Sequence, residues 1–350
     1  MYLLPVFFPL ISFFILVFFS NFFNKKILVY ISTFIIFLST FFSFLLIQDA
    51  INNNVSFEIY LFSWLSSGDL LSSWSINIDF LSSTMIFIVN IISALVQFYS
   101  LGYMKEDRHI VRFFCYLNLF SFFMLILVCS GNLLQLYLGW EGVGLCSYLL
   151  IGFWFYKETA SNASLKAFII NRVGDMFFVL AIILIYLTFN SINFTNIFSN
   201  FSQYEEIKYN FLFFEVDALN IICLFLILGA MGKSAQLGLH TWLPDAMEGP
   251  IPVSALIHAA TMVTAGVFLI CKMSIFFSSS IFASNFIVLI GSLTAIFAAS
   301  VALTQNNIKK IIAYSTCSQL GFMFIAAGFS MYSLAIFHLV IHAFFKALLF

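Results

Sequence analysis

Eight ionisable residues lie inside stretches of this sequence that are otherwise apolar. They are Glu141, Arg172, Asp175, Lys233, His258, His338, His342 and Lys346. A charge near the middle of a bilayer costs several kcal/mol, so residues of this kind usually have a partner and a function. Most of these side chains can bind and release protons, so together they indicate a proton pathway across a membrane. The alternative is a set of static ion pairs that clamp helices together.

Glu141 and Lys233 are the first candidates for moving a proton. Glycines flank Glu141 in the run Gly139–Gly144, so a neighbouring helix can bring a cation close to the carboxylate. Burial favours the neutral amine of Lys233, whereas a nearby carboxylate favours its ammonium form. We therefore expect movement of Glu141 relative to Lys233 to switch the lysine between accepting and releasing a proton. The alternative is a lysine that only extends to the membrane interface.

Arg172 and Asp175 are three residues apart and share one face of a helix. They can pair within that helix, which would be a purely structural role. Asp175 could instead adjust the charge of Lys233 from a neighbouring helix, and the sequence leaves both possibilities open.

Three of the five prolines follow Lys233 closely, at Pro244, Pro250 and Pro252. Proline removes a backbone donor and breaks a helix, so the backbone is predicted to unwind between Leu239 and Pro250. Transporters build ion sites from discontinuous helices of this kind, and a simple loop turn is the alternative.

The histidines extend the series of polar groups. His258 has Ser254, Thr261 and Thr264 at helical spacing, so we expect hydroxyl groups to surround the imidazole and support a relay of protons. A histidine satisfied within the core is the alternative.

His338, His342 and Lys346 follow at i, i+4 and i+8, on one face of a helix in steps of about 6 Å. This spacing predicts a ladder of titratable groups. A metal site is disfavoured because no Asp, Glu or Cys lies nearby to complete a ligand set.

The composition places these residues in a polytopic membrane protein. The 350 residues are 63% hydrophobic and 8% charged, whereas a soluble domain has about 25% charged residues. The net charge of −1 excludes a nucleic-acid binder that relies on basic charge. All six cysteines lie in apolar runs without a CxxC pair, so they are predicted to be buried small hydrophobes rather than zinc, iron–sulfur or disulfide ligands.

Eleven stretches have the length and apolarity of a membrane-spanning helix, which requires about 20 residues. Their approximate bounds are 3–20, 27–48, 80–103, 113–130, 133–154, 166–189, 216–238, 251–273, 283–303, 308–329 and 332–350. Two connections are longer than the others, 49–79 and 190–214. In the first, Ile76, Ile78 and Phe80 alternate with polar residues, which predicts a strand that pairs with Val55–Trp64 in an extramembrane hairpin.

The basic residues of the connections predict the orientation. One side has nine of them, Lys25, Lys26, Lys105, Arg108, Arg112, Lys157, Lys166, Lys309 and Lys310. The other side has only Lys208 and Lys272. The positive-inside rule therefore places the nine on the matrix or cytoplasmic side and the amino terminus on the opposite side.

The polar motifs resemble those of the antiporter-like membrane subunits of respiratory complex I over essentially the whole chain. The matching stretches are Gly139–Trp154, Asn171–Asp175, Gly232–Ile270 and His338–Phe350. Within that family, the run Gly232–Met247 is most similar to the subunit-five branch.

The resemblance implies an all-α fold of inverted five-helix repeats with a discontinuous helix. It divides the chain into three amino-terminal spans with a hairpin (1–110), a first repeat (111–277) and the first part of an incomplete second repeat (278–350). Glu141 would be the coupling glutamate and Lys233 the broken-helix lysine. His258, His338, His342 and Lys346 would continue a central hydrophilic axis.

The resemblance also implies partners and a location. Family members continue beyond the position of Phe350, so either the sequence is a fragment or the subunit is split, and we expect a separate chain to supply the remaining part. Other membrane-arm subunits, especially a neighbouring antiporter-like subunit, and membrane lipids would surround the protein. The expected location is the mitochondrial inner membrane, with the amino terminus facing the intermembrane space.

The leading functional hypothesis is proton translocation without a redox centre on this chain. The sequence has no dinucleotide fingerprint and no cluster ligands, so NADH, FMN, iron–sulfur clusters and ubiquinone are expected on other subunits. A subunit of a multisubunit sodium/proton antiporter is the second hypothesis, because that type shares these motifs. A purely structural membrane scaffold is the third.

Overall fold

Helices make up most of the computed structural model, which describes residues 2–53, 56–68, 70–204, 207–211 and 214–350. The helices are α1 (Leu4–Phe19), α2 (Lys25–Asn53), α3 (Phe80–Tyr103), α4 (Ile110–Val128), α5 (Leu133–Ile151), α6 (Glu158–Phe189), α7 (Phe194–Ser199), α8 (Phe201–Tyr204), α9 (Ala218–Lys233), α10 (Ile251–Ala259), α11 (Ala265–Lys272), α12 (Ser274–Ser279), α13 (Ile281–Leu303), α14 (Ile308–Gly328) and α15 (Tyr332–Leu349). Two antiparallel hairpins join β1 (Phe57–Ser67) to β2 (Leu70–Ile78) and β3 (Lys208–Phe211) to β4 (Phe214–Asp217).

Seven helices of the described part of the chain are long and apolar enough to cross a membrane, namely α2, α3, α4, α6, α13, α14 and α15. The apolar helices α1 and α9 are shorter, with 16 residues each. The predicted class, an all-α polytopic membrane protein, is confirmed. The count of eleven spans stays a prediction, because several of the predicted spans are short or broken helices.

The predicted break after Lys233 is confirmed. Helix α9 ends at this lysine, and the N–H of Gln236 donates to the carbonyl of Met231 over 3.1 Å, closing the last turn as a Schellman motif. Ala235 occupies the left-handed position of the motif with φ of 48°. The backbone then continues without an α-helix to residue 250, apart from the single 3₁₀ turn Asp245–Glu248.

The predicted span 251–273 is not one continuous helix. Helix α10 ends at Ala259, and α11 begins only at Ala265. Two threonine hydroxyls in this interval donate to backbone carbonyls, Thr261 to Leu256 over 2.6 Å and Thr264 to Thr261 over 2.9 Å. Hydroxyls that bind the backbone locally offer it an alternative to the helical ladder, so a second interruption forms beside the first.

The predicted hairpin is present as β1 and β2, with Phe57 opposite Ile78. Its proposed first residue, Val55, lies outside the described residues. Phe80 does not extend the strand, because the side chain of Asp79 caps α3 by accepting the N–H of Ser82. The second long connection, 190–214, contains α7, α8 and strand β3, none of which was predicted.

Buried polar side chains join the first four helices. The amide of Asn118 on α4 donates to Ser12 of α1 over 3.0 Å and to Ser32 of α2 over 2.9 Å. Gln97 of α3 donates to the Asn118 carbonyl oxygen over 2.8 Å. Apolar surface gives helices no preference for one another over lipid, so hydrogen bonds of this kind fix their mutual positions.

A buried ion pair connects α11 to the start of α3. Lys272 ends α11 with its side chain only 4% exposed, and its Nζ atom donates to Oδ2 of Asp79 over 2.7 Å. Burial raises the pKa of Asp79, but the charge of Lys272 and the hydrogen bonds from Lys272 and Ser82 outweigh it, so the pKa lies below its usual range. The pair therefore stabilises the fold at neutral pH, and its contribution is lost only as the pH falls through that lowered pKa.

Replacing Asp79 with Asn should leave Lys272 buried without its counter-ion. We expect the free energy of unfolding to fall by about 2 kcal/mol, less than for a fully buried pair, because the Asp79 side chain is 31% exposed. Denaturation of the purified protein in detergent at pH 7 measures this change. Glu215→Gln removes an exposed carboxylate and is the matched control. The additional substitution Lys272→Met should restore part of the loss, and equal stability of D79N and E215Q would contradict the assignment.

Candidate functional site

Helices α5, α6 and α9 bring the first group of predicted site residues together. Gly174 of α6 lies directly against Gly232 of α9, and a Cβ atom added at Gly174 would meet the Gly232 Cα at 3.0 Å. This close approach of two backbones places Asp175, the next residue of α6, beside Lys233, the last residue of α9.

Lys233 is buried without a hydrogen-bond acceptor among the described residues. The residue is 1% exposed, and its Nζ atom lies 3.6 Å from Oδ1 of Asp175 and 5.8 Å from the centre of the Trp140 ring. Gly144 provides the space for the amine, since a Cβ atom there would lie 2.8 Å from Nζ. Asp175 is therefore the described carboxylate that lies within ion-pair distance of this amine.

Glu141 pairs with Arg172 instead of Lys233, so the expected contact between Glu141 and Lys233 is wrong. Its Oε2 atom forms an ion pair with the guanidinium, and its Oε1 atom accepts the hydroxyl of Tyr137 over 2.6 Å. The predicted role of the glycines is correct only in part. Gly144 admits the lysine, whereas an added Cβ at Gly142 would meet the ring of Phe123 on α4.

The question of whether Asp175 pairs with Arg172 or Lys233 is settled in favour of the lysine. Trp140 donates its indole N–H to Oδ1 of Asp175 over 2.7 Å, which holds the carboxylate on the α5 and α9 side. Arg172 points towards the more exposed Glu141 and has a side-chain exposure of 44%. The four charges thus form two pairs, one buried and one nearer the surface.

His258 lies in a second group of residues, at the end of α10. The residue is completely buried, and neither ring nitrogen forms a hydrogen bond with a described residue. The expectation that nearby hydroxyls bind the imidazole is therefore wrong, because those of Thr261 and Thr264 bind backbone carbonyls. The ring lies within electrostatic reach of His342 and Lys346.

The predicted ladder on α15 is anchored to α14. Gln319 of α14 shares a 2.8 Å hydrogen bond with Nε2 of His338. Lys346 donates to the hydroxyl of Ser315 and, over 3.3 Å, to the carbonyl of Ile312. His342 and Lys346 are 4% and 2% exposed, so the ladder faces the protein interior.

The two breaks in the backbone lie between these groups and are bound to each other. Ser234, directly after Lys233, donates its hydroxyl to the carbonyl of Val263 over 2.8 Å. The thiol of Cys317 on α14 donates to the carbonyl of Ala235 over 2.9 Å. The interrupted segments of two spans and the middle of α14 therefore form one connected core between Lys233 and the histidines.

Four functional contacts were missed in the sequence. Tyr137 and Trp140 bind the two carboxylates, and Ser315 and Gln319 bind Lys346 and His338. Tyr137 precedes Glu141 by four residues, and Ser315 precedes Gln319 by four within an apolar span. Polar residues four apart in an apolar helix were therefore the signal that could have identified them.

The candidate site consists of two ion pairs and a set of buried or partly buried imidazoles. Within the described ranges, no group of three or more His, Cys, Asp or Glu residues could hold a metal ion. A buried amine requires a counter-charge in a low-dielectric interior, and Asp175 supplies it for Lys233.

Two protein-family models match the chain. The model described as "NADH:quinone oxidoreductase/Mrp antiporter, TM" matches residues 130–350. The model described as "NADH-Ubiquinone oxidoreductase (complex I), chain 5 N-terminus" matches residues 64–114. The first match includes every residue of the candidate site.

Similar proteins carry related names. The chain is 53% identical over 327 residues to NADH-quinone oxidoreductase subunit L of Rickettsia bellii, covering 93% of this chain and 51% of the relative. It is 49% identical over 350 residues to NADH-ubiquinone oxidoreductase chain 5 of Chondrus crispus, covering 100% of this chain and 53% of the relative. The chain thus spans about half the length of these curated relatives.

Solved structures share the fold. A chain of the Mrp complex from Dietzia sp. superimposes with a TM-score of 0.83 over 98% of this chain and 36% of that chain, at 23% identity. A chain of the membrane-bound sulfane sulfur reductase, an archaeal respiratory membrane complex, also gives 0.83 over 98% of this chain and 68% of that chain, at 20% identity. Because one family model alone covers well over half of the sequence, the protein belongs to the NADH:quinone oxidoreductase/Mrp antiporter membrane family.

Proposed function

We propose that this protein translocates protons as a membrane subunit of an NADH:quinone oxidoreductase. The observation that carries the proposal is the isolated contact between Lys233 and Asp175. Lys233 lies at the end of a broken helix, and its amine has no hydrogen-bond acceptor among the described residues. Redox chemistry on other subunits would supply the energy.

We propose that the charge of Asp175 controls whether the amine of Lys233 holds or releases its proton. At 3.6 Å and an effective dielectric constant of about 20, the attraction is worth about 5 kcal/mol. Moving one charge against 100 mV of membrane potential costs about 2.3 kcal/mol. Loss or displacement of the Asp175 charge would therefore change the energy of the Lys233 ammonium by more than this step. The Glu141–Arg172 pair is more exposed than the Asp175–Lys233 pair, and its charges would influence the electrostatic potential at Asp175.

The second half of the path would run from Lys233 past the two breaks to His258. His342, His338 and Lys346 then provide further exchange groups along α15. Irregular backbone at this depth is tolerated where protein or water surrounds it, so the breaks are the points at which hydrated polar atoms can bridge the two groups.

We propose that NADH, FMN, iron–sulfur clusters and ubiquinone bind to other subunits, because the side chains gathered in the candidate site are proton-exchanging groups. Membrane-arm subunits of the same complex would be the partners, with an antiporter-like subunit as the nearest neighbour. A separate chain that supplies the sequence beyond Phe350 remains a prediction.

A subunit of a sodium/proton antiporter is the second candidate, because the matching family model includes Mrp antiporters. The two functions differ in the ion that crosses the membrane and in the source of energy. Uptake of ²²Na⁺ by reconstituted vesicles without NADH would favour the antiporter. Proton uptake that requires NADH and quinone would favour the oxidoreductase subunit.

We also propose that the protein lies in the mitochondrial inner membrane with its amino terminus on the intermembrane-space side. The excess of basic residues on the side proposed to face the matrix supports this orientation. Of the two basic residues on the opposite side, Lys272 is buried against Asp79, which leaves Lys208 as the exposed one.

Lys233→Met should abolish most of the NADH-driven proton uptake that depends on this subunit, because the buried group that carries the proton is lost. Quenching of a pH-sensitive dye in membrane vesicles measures uptake, and NADH oxidation by ferricyanide measures assembly. Lys208→Met removes an exposed lysine and is the matched control. Normal pumping by an assembled K233M complex would favour the scaffold hypothesis.

Asp175→Asn should lower NADH-driven proton uptake several-fold, because the amine of Lys233 loses the carboxylate within ion-pair distance. Uptake is measured with the same pH-sensitive dye. Glu141→Gln, which leaves Asp175 in place, should give the smaller loss. The interpretation fails if D175N pumps like the parent or if E141Q loses as much uptake as D175N.

The orientation can be tested with single cysteines, since all six native cysteines are buried. A cysteine in place of Lys26 should react with a membrane-impermeant maleimide only from the matrix side. A cysteine in place of Lys208 should react only from the intermembrane-space side. The opposite labelling pattern would reverse the proposed orientation.

A further inference from the structure

Arg112, in the first turn of α4, is held in place without a counter-ion. Its guanidinium lies 4.8 Å from the ring centre of Phe153 and 5.4 Å from that of Phe155, and it donates to the Phe153 carbonyl over 3.3 Å. Its Nε atom is buried and donates to no described residue. No described carboxylate lies within 4.0 Å of its nitrogens. The guanidinium of Arg112 is therefore held in position and still has N–H groups that can donate to a ligand.

A cavity of about 170 Å³ opens beside this guanidinium. Its lining includes four residues with hydroxyl groups, Tyr116, Tyr148, Ser161 and Ser164, and contains no carboxylate. The adjoining cavity is lined by two acids, Glu106 and Asp107, and by the basic residues Arg108 and Arg112. The carboxylate oxygens of Asp107 accept the N–H of His109 and the indole N–H of Trp154. The first cavity thus has hydrogen-bond donors and no carboxylate in its lining.

We propose that this cavity binds a phosphate group, either from a lipid headgroup or from free phosphate. The planar guanidinium matches phosphate oxygens in a bidentate geometry, and stacking on aromatic rings reduces the entropy lost on binding. Phe155 and Tyr156 beside the cavity are 64% and 71% exposed, in the manner of aromatic residues at a membrane interface. A phosphate bound beside Arg112 would lie at the level of the lipid headgroups. The acyl chains of a phospholipid bound in this way would lie over the exposed rings of Phe155 and Tyr156.

The test compares lipid binding by variants of the intact purified complex. After exchange into neutral detergent, the complex is titrated with phosphatidylglycerol, and bound lipid is counted by native mass spectrometry or by phosphorus analysis. Arg112→Gln should reduce binding at this site at least threefold relative to Lys105→Gln, which removes an exposed charge nearby. Equal binding by R112Q and K105Q would overturn the proposal.

The source of the phosphate is decided by competition. Displacement of the Arg112-dependent lipid by millimolar inorganic phosphate identifies free phosphate as a ligand, whereas retention of phosphatidylglycerol in its presence identifies the lipid. If R112Q does not assemble, the combination Tyr148→Phe and Ser161→Ala tests the same cavity with the charge intact. That variant should bind less than the parent, and unchanged binding would overturn the proposal.

Discussion

The buried amine of Lys233 is the constraint on which the rest of the site depends. A cation in a low-dielectric interior requires compensation, and here one carboxylate, Asp175, lies within reach. The contacts around the pair serve this arrangement. Gly144 leaves space for the amine, the contact of Gly174 with Gly232 brings α6 against α9, and Trp140 holds the carboxylate in position.

The sequence was a good guide to residue types and a poor guide to pairing. Composition and apolar runs predicted a polytopic helical membrane protein, and the prolines after Lys233 predicted a break. They could not predict that Arg172 would bind Glu141, because spacing along one helix gives no information about the rotation of its neighbours. The second break was missed for a related reason. Threonines occur in many unbroken helices, so the residue types at Thr261 and Thr264 did not predict an interruption. Only the hydrogen bonds of their hydroxyls with the backbone show it.

The structure also separates charges that balance one another from charges that remain available. Lys272 is matched by Asp79 and joins α11 to the hairpin side of the fold, as a structural pair would. Arg112 has a similar aromatic environment and no matching acid among the described residues. The hydrogen bonds of Asn118 with Ser12, Ser32 and Gln97 join the first four helices through neutral side chains.

The left-handed conformation of Ala235 has a consequence for the order in which the chain matures during synthesis. An alanine in this conformation is disfavoured by about 1 kcal/mol and has the strongest preference for continuing a helix. Its carbonyl is held by Cys317, a residue translated about eighty positions later. While the ribosome is still producing the intervening segment, the local hydrogen bond from Gln236 to Met231 can form, but the contact of Cys317 with Ala235 cannot. The end of α9 therefore gains this last contact only after α14 has been synthesised.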